Sequence, residues 1–348
     1  MKSQVATVLV SGMYAEPRQE WLSQLKEDAI DPAMPIIDPH HHLWSRADAH
    51  YMTDEVLSDM RSGHHIAQTV YIDCRSMYRQ SGPEHLKPLG EVEFANGIAA
   101  ISASGLWGDA QLCEGIVGHC DLRGGALALD LLERSIAVAG HRYKGIRQVA
   151  AWVNDPLVSK PIATRPPALL MNPQFRQGFQ QLAKLNLSFD AFVFHTQLSE
   201  LLDLAQTCSN TPIVIDHVGG PIGIGSFANQ RNEVFEQWKS GMKALAGLDR
   251  VYVKLSGFGM LLPGFKLNER EKPATSTELA ALWQPYMETC IELFGTNRCM
   301  FASNFPPDKG VCSYVTLWNA FKKMVSNYSE TEKKQLFHDT AKDFYRLS

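Results

Sequence analysis

Eight short apolar runs, each followed by a longer amphipathic stretch, constrain this chain more than any other feature. The runs are Ile36–Trp44, Gln68–Cys74, Gly115–Leu122, Tyr143–Val149, Leu187–His195, Pro212–Gly219, Val251–Gly257 and Cys299–Phe305. Helix-like periodicity lies between them over Val92–Ser104, Ala126–Ala139, Phe175–Leu185, Leu198–Ser209, Asn232–Leu245 and Glu278–Phe294. Strands separated by helices run parallel, because parallel neighbours need a crossover. Eight such units predict an α/β fold of the closed (β/α)8 TIM-barrel type over residues 36–348. Residues 1–35 are read as an N-terminal extension, with a short helix over Glu20–Ile30 ended by Pro32 and Pro35. A last helix is expected over Glu330–Tyr345. An open doubly wound sheet would carry a glycine-rich phosphate turn after its first strand. Histidines stand there instead.

That first run ends Asp38-Pro39-His40-His41-His42-Leu43-Trp44. Side chains alternate along a strand, so Asp38, His40 and His42 share one face and His41 points the other way. Two neutral imidazoles two residues apart can grip one divalent metal. In a barrel, chemistry collects at the C-terminal strand ends. There the later runs place Asp73 and Arg75, Asp121 and Arg123, Arg147 and Gln148, His195 and Gln197, Asp216 and His217, Lys254 and Ser256, then Ser303, Asn304 and Asp308. His217 closes a buried run before Gly219-Gly220-Pro221 and is well placed to point into a pocket. His195 follows three apolar residues, and its register allows either face. Arg147 could fork onto a carboxylate, and Lys254 is a weaker candidate of the same kind. The other histidines (50, 64, 65, 85, 119, 141 and 338) are read as non-functional.

Charge narrows the partners. The net charge is -4, the pI is near 6.3 and no long basic run exists, which argues against nucleic acid. No apolar run approaches the roughly 20 residues of a membrane span. Seven scattered cysteines without a CxxC pair suit a reducing cytoplasm. Cations inside the mouth of a net acidic chain would concentrate a small anionic substrate.

Together, Ile37-Asp38-Pro39-His40-His41-His42-Leu43-Trp44, Gly145-Ile146-Arg147, Phe189-Asp190-Ala191, Ile215-Asp216-His217-Val218-Gly219-Gly220-Pro221, Val253-Lys254-Leu255-Ser256-Gly257 and Thr340-Ala341-Lys342-Asp343-Phe344-Tyr345 resemble the amidohydrolase-2 branch of the amidohydrolase superfamily. The nearest likeness is to its lactonase-like members, from about residue 36 to the C-terminus. The resemblance implies a barrel hydrolase that opens a lactone or related cyclic ester with metal-activated water. The metal expected is divalent, zinc first, although some lactonases of the branch work without one. By the same likeness His40 and His42 are strand-one ligands, His195 is the strand-five ligand and His217 is the acid/base. Arg147, Lys254, Trp44 and Gln197 are the candidates for holding substrate, and homodimers are common in the branch.

One departure stands out. The family pattern Gly-Ser-Asp-x-Pro at strand eight reads Ala302-Ser303-Asn304-Phe305-Pro306 here. Asn304 is neutral and is no base, though its carbonyl oxygen can ligate or hold water. Three outcomes follow. His217 takes over as base, Asp308 swings in, or hydrolysis gives way to decarboxylation of an aromatic or unsaturated acid, or to binding alone. Long segments at Asn154–Asn172 and Phe258–Thr277 read as lids or substrate loops.

Overall fold

The computed structural model of the chain describes residues 13–47, 49–159 and 165–348. All eight apolar runs form parallel strands: β1 Pro35–His41, β2 His65–Ile72, β3 Gln111–Gly118, β4 Tyr143–Arg147, β5 Ser188–Ala191, β6 Ile213–Ile215, β7 Val251–Leu255 and β8 Cys299–Phe301. Each pairs with the next in chain order. The ring closes just beyond the strand ends. His42 N–H donates to Phe305 C=O and Asn304 N–H donates to His40 C=O, both at 2.8 Å. The two chain segments that carry the first and last candidate residues are thus stitched together at the mouth.

Alternation along the strands sorts the core into two layers. Ile37, Val70, Ile72, Val117, Val214 and Met300 form an inner cluster. Their neighbours Ile36, Tyr71, Ile116, Ile213 and Phe301 pack outward against the helices. The outer ring is α1 Thr53–Met60, α2 Leu89–Ala103, α3 Ala126–Ala139, α4 Pro173–Lys184, α5 Leu198–Thr207, α6 Arg231–Ala246, α7 Ser276–Phe294 and α8 Tyr314–Met324. Local chemistry sets their ends. Asn172 accepts from Gln174 and Phe175 N–H with a proline at the first helical position of α4. Thr275 and Glu278 form a capping box on α7.

Two helices escaped the periodicity. α8 is buried on nearly every side, from Tyr314 through Lys322, so it shows no polar face. It is wedged against α7 and against residues 27–31, where Asn319 Nδ2 donates to Glu27 and to the Asp28 carbonyl. α1 is only eight residues long. The expected helix at Glu20–Ile30 shrinks to one turn, Gln19–Leu22, because the following residues spend their backbone groups on α8. The last helix is broken by a wide turn at Gln335–Asp339 before α9 Thr340–Tyr345. Phe344, Tyr345 and Leu347 then join the inner cluster and plug the bottom of the barrel. No described helix is long and apolar enough to cross a membrane.

Candidate active site

Above that plug the barrel interior turns polar in layers. Tyr345 Oη donates to Asp190 Oδ2 at 2.7 Å. Lys254, fully buried, pairs its ammonium with Asp190 and lies 3.2 Å from Asp216 Oδ1 and 3.1 Å from His40 Nδ1. Arg147 comes next. Its Nε donates to Asp73 Oδ1 at 3.0 Å, one Nη donates to the Asp73 carbonyl, and Nη1 lies 3.3 Å from His40 Nε2 and 3.7 Å from Asp216 Oδ2. Burial opposes the Arg147 charge, but Asp73 and Asp216 outweigh it and hold the guanidinium more firmly protonated than usual.

A cavity of about 120 Å³ opens over this stack. His42, His217, Asn304, Arg147 and Asp73 line its floor and sides, with Trp44 and Phe192 as apolar walls. Met13 and Tyr14 also line it, and Tyr14 stacks on Trp44 at 5.6 Å. Thus part of the expected N-terminal extension reaches the barrel mouth, tied there by Leu261 N–H donating to the Met13 carbonyl.

Two local devices aim the imidazoles. His42 Nδ1 lies 2.8 Å from the Ile72 carbonyl, which can only accept, so Nδ1 carries the proton and Nε2 keeps a bare lone pair. His217 sits at φ +53 and Val218 at φ +48, ahead of two positive-φ glycines. A β-branched residue in that region is strained and persists only where surroundings over-determine it. Here Trp238 Nε1 donates to the Val218 carbonyl at 2.6 Å and Ser256 Oγ meets His217 Nδ1 at 3.0 Å. Gly257 makes room, since a Cβ there would fall 2.5 Å from the His217 Cβ. Burial holds His217 down at about 3, against the pull of Asp216. Burial, aided by Lys254 for His40 and Arg147 for His42, holds those two well below the usual range. All three rings are neutral at pH 7.

Four expected positions lie elsewhere. His195 does not line the cavity. Strand β5 ends at Ala191, Phe192 takes the inward direction against His217, and His195 packs on Phe227 with Nδ1 accepting from Ile222 N–H. Gln197 is spent on backbone, accepting from Trp152 and Phe194 N–H and donating to the Ala150 carbonyl. Lys254 lies beneath His40 and out of reach of a ligand. Asp308 is buried behind Asn304, accepting from its Nδ2 at 2.8 Å and from Gly257 N–H at 3.1 Å. Asp308 therefore orients Asn304 rather than facing the cavity. His41 points outward to Thr69 Oγ1, as the alternation requires.

The comparisons with known proteins fit this geometry. The family model described as Amidohydrolase matches residues 37–347. The chain belongs to the amidohydrolase family. It is 31% identical over 342 residues to the uncharacterized protein y4mH of Sinorhizobium fredii, covering 90% of this chain and 98% of that one. It is 23% identical to an L-fucono-1,5-lactonase of Burkholderia multivorans, covering 89% and 96%. A zinc-bound crystal structure of a Burkholderia multivorans amidohydrolase superposes with a TM-score of 0.68 at 21% identity, covering 90% and 99%. This amidohydrolase is accordingly an enzyme of the hydrolase kind.

Its donor set can hold a metal ion. His40, Asp216 and His217 each offer one ligand atom, all within 4.8 Å of one another. Neither Asp216 carboxylate oxygen makes a hydrogen bond, with Lys254 Nζ 3.2 Å from Oδ1 and Arg147 Nη1 3.7 Å from Oδ2, so both keep lone pairs for a metal ion. Charge agrees, because Asp73, Asp190 and Asp216 outnumber Arg147 and Lys254. The grouping draws on strands one and six, with Asp216 and His217 in place of the expected His42 and His195. Asp216 was visible only as the residue before His217. Arg165 and Tyr14 carried no sequence signal beyond lying in a long loop and in the extension.

Proposed function

We propose that this amidohydrolase opens a lactone or related cyclic ester of a small carboxylic acid. The observation that carries the reading is the convergence of neutral His42 and His217 with Asn304 on one small cavity whose other wall is arginine-rich. The sugar-lactonase relative supports the reaction class. A divalent ion, zinc first, held by His40, Asp216 and His217 would polarise the ester carbonyl and acidify water.

The chain's own residues do the rest. Asn304 donates its amide N–H to Asp308, which leaves its carbonyl oxygen to accept from the attacking water. With no metal on its Nε2, His217, neutral and braced by Ser256, is the group that moves the water proton towards the leaving alkoxide. His42 keeps the bare lone pair of Nε2 free to accept at the substrate. Phe192 and Trp44 exclude bulk water from the floor. Arg147, locked to Asp73 and Asp216, supplies positive potential to a developing oxyanion.

The second reading is non-oxidative decarboxylation, and Asn304 favours it because that reaction needs no water-activating carboxylate at strand eight. Products decide. The purified protein should release one acid equivalent per lactone in a pH-stat, with His217→Gln losing at least 100-fold in kcat. Carbon dioxide release from an aromatic acid without lactone opening would overturn the hydrolase reading.

A further inference from the structure

The residue first expected to clasp a substrate carboxylate is already occupied. Arg147 spends Nε and one Nη on Asp73, and its other Nη faces His40 and Asp216. Yet three more arginines line the same cavity: Arg46, Arg75 and Arg165. Among the described residues that line it, Asp73 is the only carboxylate. Arg46 is also engaged, donating to the Cys74 carbonyl at 2.8 Å and lying 4.2 Å over the Trp44 ring.

Arg165 is different. It reaches the cavity from the loop after β4. Its Nε is buried, with no hydrogen-bond partner among the described residues. Burial, followed by repulsion from Arg75 and Arg147, pulls its guanidinium down to about 10, whereas Arg147 is shifted the other way. A half-buried cation kept beside two others is costly unless something anionic completes the site.

Strand order says where that anion sits. Arg75 and Arg165 follow β2 and β4, which flank β3. His217 and Asn304 follow β6 and β8, which flank β7. In an eight-stranded ring β3 and β7 are diametrically opposed. The arginine wall therefore faces the hydrolytic wall across the mouth.

We propose that Arg165, with Arg75 beside it, is the specificity-determining seat for a carboxylate that lies across the substrate ring from the ester to be opened. The substrate is then a lactone that carries its own carboxylate, and the product is a hydroxy-dicarboxylate. This rests on the lactone reading for the reaction but not for the binding.

The test is calorimetric titration of the full-length protein with two inert, nearly isosteric probes. 3-Carbamoylbenzoate carries one carboxylate opposite a neutral amide, and benzene-1,3-dicarboxamide carries no charge. The carboxylate probe should bind at least ten-fold more tightly to the wild type. Arg165→Gln should weaken the carboxylate probe at least ten-fold and erase the difference, and Arg165→Lys should restore part of it because a point charge replaces the planar fork. Equal binding of the two probes, no binding of either, or an Arg165→Gln protein that still prefers the carboxylate probe overturns the proposal. A preference intact in a protein that opens no lactone would refute the reaction and keep the seat. Unchanged kcat/KM of Arg165→Gln on a carboxylated lactone would refute the seat and keep the reaction.

Discussion

Replacing Lys254 with methionine tests the layered charge stack directly. Its ammonium is fully buried and is shared by Asp190, Asp216 and His40. Three carboxylates and two cations occupy the stack. Losing Lys254 leaves Asp73, Asp190 and Asp216 facing Arg147 alone. Removing one partner of a buried pair costs about 3–5 kcal/mol, because the remaining charge is desolvated and unpaired. Methionine nearly conserves the stem volume, so little of that cost is cavity. At a urea dependence of about 3 kcal/mol per molar, the midpoint should fall by roughly 1–1.7 M. The assay is urea unfolding followed by circular dichroism. Lys254→Met/Asp190→Asn should recover part of the loss, with a coupling of at least about 1 kcal/mol in the double-mutant cycle. Lys254→Met within about 1 kcal/mol of wild type, or a double mutant that simply adds the two losses, would refute the reasoning.

Two further outcomes follow from the same geometry. Gly257→Ala should lower kcat by at least ten-fold while leaving the fold intact by far-UV circular dichroism, since the new methyl displaces the His217 ring; full activity would mean that His217 does not need its observed position. Burial raises Asp308 to about 7. The folded protein therefore binds this proton more tightly than the unfolded chain, and the stability it contributes is present below about pH 4 and is lost as pH rises towards 7. The group accounts for about 4 kcal/mol over that window. Asp308→Asn removes that slope, so the wild-type urea midpoint should fall relative to that of Asp308→Asn from pH 4 to 7, whereas parallel profiles would show that Asp308 does not titrate there.

The strand pattern was legible because each barrel strand is buried on both faces and so reads as a continuous apolar run. The His-x-His face of the first strand and the turn after Asp216 were legible because alternation and Gly-Gly punctuation are local. α8 was not, since a helix buried all round carries no amphipathic period. His195 was misplaced for a related reason. The chain leaves the strand at Ala191, so alternation no longer says which side chain turns inward, and Phe192 takes the place beside His217.

By itself, then, the sequence determined the barrel, its first and sixth strand histidines and the neutral Asn304, all of which depend on neighbours within a few residues. Only the tertiary structure decided the charge assignments. Arg147, Lys254 and Asp216 come from three different strands, and each is spent or left free according to partners as many as 214 residues away, as for Lys254 and His40. Which arginine remains for a ligand is a property of that closed ring, because a cation's availability is set by the carboxylates that reach it in space.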